Sequence, residues 1–104
     1  MDTEQAVAAA KKYSEVVSRR FNVREIRLFG SRADSAAPVR DDSDIDIAVV
    51  VDSLDRDFLD FSRELYRIRR DISMLIEPVL LISDRDASGF LEEIRATGQV
   101  LYSR

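Results

Sequence analysis

A chain of 104 residues, 45% of them hydrophobic, has enough apolar material for one core. Its formal net charge of −4, from 20 acids against 16 bases, lacks the basic excess of a domain that wraps nucleic acid, so no stable nucleic-acid binding is expected. It has no cysteine and no histidine, which excludes a cysteine nucleophile, a serine–histidine triad, a disulfide framework and any zinc site built on thiolate or imidazole.

From about Thr3 to Arg20 the chain reads as an amphipathic helix, with Ala6, Ala9, Ala10, Tyr13, Val16 and Val17 on one stripe, and Asn22 is expected to end it. Val23 to Phe29 alternates Val23, Glu25, Arg27 and Phe29 against Arg24, Ile26 and Leu28, which predicts a strand stopping at Gly30. Ser31 to Ser43 is polar, includes Pro38 and reads as a loop that could open with a helical turn. Asp44 to Val51 carries the strongest strand signal, because every residue except Asp44 and Asp46 is Ile, Val or Ala. Asp52-Ser53 breaks that strand and is placed to cap a helix. In this helix Leu54, Phe58, Phe61, Leu65, Ile68 and Ile72 recur at alternating spacings of four and three, a stripe for burial. Met74 to Ile82 is a second apolar strand. Ser83-Asp84 resembles a helix start, Ala87 to Ala96 a helix with Phe90, Leu91 and Ile94 inward, and Val100-Leu101-Tyr102 a short strand after Gly98.

This alternation predicts an α+β fold: one domain over residues 1–104, built as a small mixed β-sheet with helices packed on one face. No apolar run approaches the ~20 residues of a membrane span. The acidic start Met1-Asp2-Thr3-Glu4-Gln5 does not read as a secretory signal, so a cytoplasmic location is expected.

With cysteine and histidine absent, acid–base and metal chemistry must rest on carboxylates, lysine, tyrosine or backbone, and carboxylate-only sites suit hard divalent cations. Period-two geometry puts Asp44, Asp46, Ala48 and Val50 on one face of their strand and the apolar Ile45, Ile47, Val49 and Val51 on the core face. The two aspartates then lie ~6–7 Å apart at Cα, two strand rises. Like charges so close repel and raise each other's pKa, a cost that a bound cation removes. Glu77 interrupts an otherwise apolar strand and needs a cation, an arginine or solvent. If its strand lies beside that of Asp44, three carboxylates converge, the usual means of holding two magnesium ions against a phosphate. The same residues also read as the solvated start of a strand and as a carboxylate facing water at a sheet edge, where Pro78 is tolerated. A calcium loop starting at Asp42 fails, because Ile47 stands where glycine is required and Ser53 where the bidentate glutamate belongs.

Leu28-Phe29-Gly30-Ser31-Arg32 ends the first strand in a turn. Glycine permits a sharp turn and close approach of a ligand to the backbone. Ser31 offers a hydroxyl and an amide to phosphate oxygens, and Arg32 a guanidinium.

Gly30-Ser31-Arg32-Ala33, followed by a polar loop and Ser43-Asp44-Ile45-Asp46-Ile47-Ala48-Val49-Val50, resembles the signature of the minimal nucleotidyltransferases of the DNA polymerase beta-like superfamily. Ile76-Glu77-Pro78-Val79-Leu80 and the stretch from Phe90 through Tyr102 are similar to that family too. Asp34-Ser35 stands where the family often has a glycine, and the twelve residues between Ser31 and Asp44 make a longer loop than is common in it. The resemblance implies transfer of AMP from ATP, with Asp44 and Asp46 binding magnesium, Gly30, Ser31 and Arg32 binding the triphosphate, and Glu77 completing the metal site and helping to activate the acceptor hydroxyl. It further implies an antitoxin whose partner is a HEPN-domain toxin, adenylylated on tyrosine, in a possible hetero-oligomer. The alternatives are a binding module that neutralises a toxin by contact alone and a small-molecule adenylyltransferase.

Overall fold

The computed structural model describes residues 1–33 and 39–104. The Asp34-Ser35 departure and Pro38 lie outside the described residues.

Helix α1 spans Thr3–Arg20. Its start is fixed by a capping box: the Asp2 carboxylate accepts from the Gln5 amide at 2.8 Å and the Gln5 side chain accepts from the Asp2 amide at 3.0 Å. Ala6, Ala10, Tyr13 and Val17 are buried, as the stripe predicts, and the helix stops at Arg20, two residues before Asn22. Strand β1 is Glu25–Phe29 and β2 is Ile45–Val51, so Asp44 stands just ahead of its strand. Helix α2 is Phe58–Arg69, shorter than its apolar stripe. Its cap is the Asp57 carboxylate, which accepts from the amides of Leu59 and Asp60, rather than Asp52-Ser53. Phe61, Leu65 and Ile68 are buried, while Phe58, in the first turn, is 43% exposed. Strand β3 is Ile76–Ile82, helix α3 is Phe90–Thr97 and strand β4 is Gln99–Ser103. Helix α3 starts later than the sequence suggests because the Asp86 carboxylate reaches forward to the amides of Leu91 and Glu92.

The sheet order is β3-β2-β1-β4. Strand β1 runs antiparallel to β2 and β4, and β2 runs parallel to β3 through the α2 crossover, so the sheet is mixed. One face carries Ile26, Leu28, Ile45, Ile47, Val49, Val51, Ile76 and Leu80 into the core with α1 and α2. The two helices are pinned to one another where the buried Tyr13 hydroxyl donates to the Leu65 carbonyl at 2.8 Å.

Helices α1 and α2 occupy the expected face. Helix α3 lies across the other one: Ala48 and Val50 are buried there along with Leu91 and Ile94, Phe90 meets Phe29 edge-on, and Arg95 pairs with Glu25. The register sets Glu25, Arg27 and Phe29 opposite Val50, Ala48 and Asp46, so the residues facing α3 share a face with Asp46. Helix α3 covers one part of this face, and the end that carries Asp46 and Glu77 is where β1 finishes and where β2 and β3 begin.

Candidate active site

Strand β1 delivers its last residue, Phe29, directly opposite Asp46. Gly30 follows with φ +74°, a conformation that favours glycine, and opens a single 3-10 turn over Gly30–Arg32 closed by the Ala33 amide on the Gly30 carbonyl at 3.1 Å. A Cβ at position 30 would overlap Asp46 Oδ2 and stand 3.3 Å from its Cγ. Gly30 is therefore required twice, by its backbone angle and by the carboxylate packed against it. Ser31 is half-buried in the same turn.

Asp44 is exposed and Asp46 half-buried. The first amide of β2, that of Ile45, donates to the Leu75 carbonyl at 2.8 Å, locking the start of β2 to the start of β3. The parallel register then places Glu77 beside Asp46. The Asp46 carboxyl is pushed above the ordinary aspartate value, first by burial and then by the negative charges of Asp44 and Glu77. Asp46 and Glu77 thus share one end of one face, with Asp44 just ahead of β2, and Asp46 feels the charge of both.

They do not close on a common point. Among the described residues no three acidic side chains are gathered closely enough to hold a metal ion. Both oxygens of Glu77 are engaged by α2: Oε1 accepts from Arg69 Nη1 and Oε2 from the Tyr66 hydroxyl, each at 3.2 Å. Of the requirements the sequence set for Glu77, the structure meets the arginine one. The donor set nevertheless suits magnesium: it is all oxygen, and the mutual repulsion that raises Asp46 is relieved by a divalent cation.

Arg32 requires a correction. It was expected on a phosphate, but the side chain is 5% exposed and donates to backbone carbonyls: Nε to Ser43 at 3.0 Å, and Nη2 to Arg40 at 3.1 Å, Asp41 at 3.3 Å and Met1 at 3.4 Å. A guanidinium saturates several carbonyls at once, which a backbone amide cannot do. Arg32 ties the turn after β1 to the segment that leads into Asp44.

Tyr66 and Arg69 lie off the apolar stripe by which the sequence identifies α2. Their signal was available: they stand three apart, hence on one helix face. Glu25, 6% exposed between Arg27 and Arg95, was likewise hidden in the β1 alternation. A groove of about 670 Å³ opens elsewhere, between α1 and α2, over Val16, Phe21, Ile68 and Ile72, and none of the expected site residues lines it.

The open sheet end of this α+β fold thus presents acidic side chains beside a glycine turn. The family model described as "Polymerase beta, Nucleotidyltransferase" matches residues 11–104, and the chain belongs to that family. Among solved structures, a Sulfolobus solfataricus protein described as a nucleotidyltransferase is 22% identical, with all of this chain and 90% of that one covered and a TM-score of 0.67. A mutant MntA–HpeT toxin–antitoxin structure contains a chain 16% identical, with all of this chain and 75% of that one covered and a TM-score of 0.52. At these identities the two share the fold. No curated protein sequence matches the chain.

Proposed function

We propose that residues 1–104 form a single minimal nucleotidyltransferase domain that moves AMP from ATP to a hydroxyl, a tyrosine of a HEPN-type toxin, and so acts as that toxin's antitoxin. The observation that carries the reading is the seating of Gly30 against the Asp46 carboxylate, which leaves no side chain between the turn and the acid. The family supports nucleotide transfer, and the toxin–antitoxin pair among the similar structures supports the choice of partner.

Asp44, Asp46 and Glu77 would hold magnesium, which when bound supplies a Lewis acid for the phosphates. The Gly30–Ser31 turn takes the triphosphate through the Ser31 hydroxyl and backbone amides, and the missing Cβ lets the turn close directly onto Asp46. The acceptor oxygen attacks the α-phosphorus, the bond from that phosphorus to the bridging oxygen breaks, and pyrophosphate leaves. Glu77 receives the acceptor's proton. The acceptor is supplied by the partner, which docks at the open sheet end in a hetero-oligomer.

The test is transfer itself. With α-labelled ATP, magnesium and the product of the neighbouring gene, the label should pass to that product, and Asp44→Ala should lower the rate by about 10²-fold or more. Equal labelling by the variant would show the site to be misassigned.

A further inference from the structure

Glu77 is held more completely than a surface carboxylate at a strand edge requires. Arg69 Nη1 donates to Glu77 Oε1 at 3.2 Å while also reaching the Ile76 carbonyl at 2.9 Å and the Met74 carbonyl at 3.2 Å. Its guanidinium carbon stands 4.8 Å from the centre of the Tyr66 ring, and its side chain is 19% exposed. Arg69 is thus fixed by the chain turn before β3 and by the ring, and cannot follow Glu77 if that side chain turns. The Tyr66 hydroxyl, from the same helix face, takes the other carboxylate oxygen at 3.2 Å. Helix α2 packs on the sheet face opposite Asp46, so these contacts draw Glu77 around the β3 edge, away from its register neighbour.

We propose that Tyr66 and Arg69 are positioning residues that latch Glu77 by both oxygens, and that Glu77 joins Asp44 and Asp46 around a divalent cation only by giving up this hold. The proposal rests on the assignment of those three carboxylates above. Its two hydrogen bonds to Glu77 lie at the long end of the range, so they are exchangeable contacts. The latch opposes cation binding in two ways: Arg69 neutralises part of the charge that attracts the cation, and both oxygens must be freed before they can ligate it.

Manganese titration of the whole chain, read as loss of the free-ion paramagnetic resonance signal and run without nucleotide, measures this directly. Arg69→Gln should tighten manganese binding by roughly 3- to 5-fold, the size of a part-exposed ion pair, and Tyr66→Phe by about 2-fold. In a Glu77→Gln background both gains should vanish, which separates release of Glu77 from a general loss of positive charge. In transfer assays Tyr66→Phe should lower the metal concentration needed for half-maximal rate and leave the KM for ATP unchanged. Tyr66→Phe keeps the ring and the net charge, so it decides the matter should Arg69→Gln fail to fold. Wild-type affinity in Tyr66→Phe, with binding lost in Asp46→Asn, overturns the latch and leaves the cation site standing. Absence of manganese binding by the wild type, or undiminished binding by Asp46→Asn, overturns the carboxylate assignment and the latch with it.

Discussion

Gly30 and Arg32 are two residues apart and do opposite work. Gly30 matters for what it lacks: at φ +74° a side chain is strained, and a Cβ would displace the Asp46 carboxylate. Gly30→Ala is expected to cost about 1–2 kcal/mol of stability and, because it moves a carboxylate at the reacting end, to slow transfer by about 10²-fold. Melting temperature and initial labelling rate report the two effects separately. Arg32 matters for what it fills. Arg32→Met removes a buried cation from the carbonyls of Met1, Arg40, Asp41 and Ser43, at a cost of about 2–3 kcal/mol. For a domain of this size that is a fall of roughly 10–20 °C in melting temperature. A phosphate-binding Arg32 would give the reverse pattern, wild-type melting with weakened ATP affinity. Sequence alone does not separate the two roles, since an arginine after a Gly-Ser turn reads as a phosphate ligand until its burial is known.

Among the elements, α3 is attached to the sheet by an ion pair as well as by apolar packing. Glu25 of β1, 6% exposed, accepts from Arg95 of α3 at 2.7 Å and from Arg27 at 2.6 Å. The hydrogen bonds from Arg95 hold its carboxyl below the ordinary glutamate value, against the upward push of burial, with Arg27 adding to the effect. A carboxyl lowered on folding binds protons less readily in the native state, so its stabilisation is present above the unfolded-state pKa and is lost as pH falls through the folded one. Glu25→Gln should therefore cost about 1–2 kcal/mol at neutral pH. The difference from wild type should shrink on acidification below the ordinary glutamate range, which urea midpoints taken across that range would show. A gap that stays constant or widens in acid would rule out the ion pair as the source. The alternation in β1 set Glu25 on one face with Arg27 and Phe29. It carried no sign of Arg95, seventy positions later, because that partner stands in α3 and reaches Glu25 only when the helix packs on the sheet.

At the scale of the molecule, both sheet faces are covered but unequally, α1 and α2 across one and α3 across part of the other, within a radius of gyration of 13.0 Å. Strands β1 and β2 contribute to both apolar layers, since Ile47 and Val49 point one way and Ala48 and Val50 the other. Shared strands couple the layers, so unfolding in urea should be one cooperative transition. Circular dichroism and tyrosine fluorescence should give coincident midpoints, whereas an earlier loss of helix would mark α3 as a separate unit. No helix among the described residues is long and apolar enough to cross a membrane.

Periodicity determined most of the architecture: the element order, the core face of β2 and the inward side of α1 all follow from which apolar residues recur at two or at three and four. The spacing of Asp44 and Asp46 made both candidates for one face, and the isolation of Glu77 marked it as a residue in need of a partner. Local pattern carries such information because backbone geometry repeats over a few residues. Only the tertiary structure decided the parallel register that sets Glu77 beside Asp46, the burial of Arg32, the placement of α3 across the second face, and the hold of Tyr66 and Arg69 on Glu77. Each joins residues from different elements. Whether a charged side chain faces solvent, a phosphate or another part of the chain is fixed by how those elements pack, which no single segment contains.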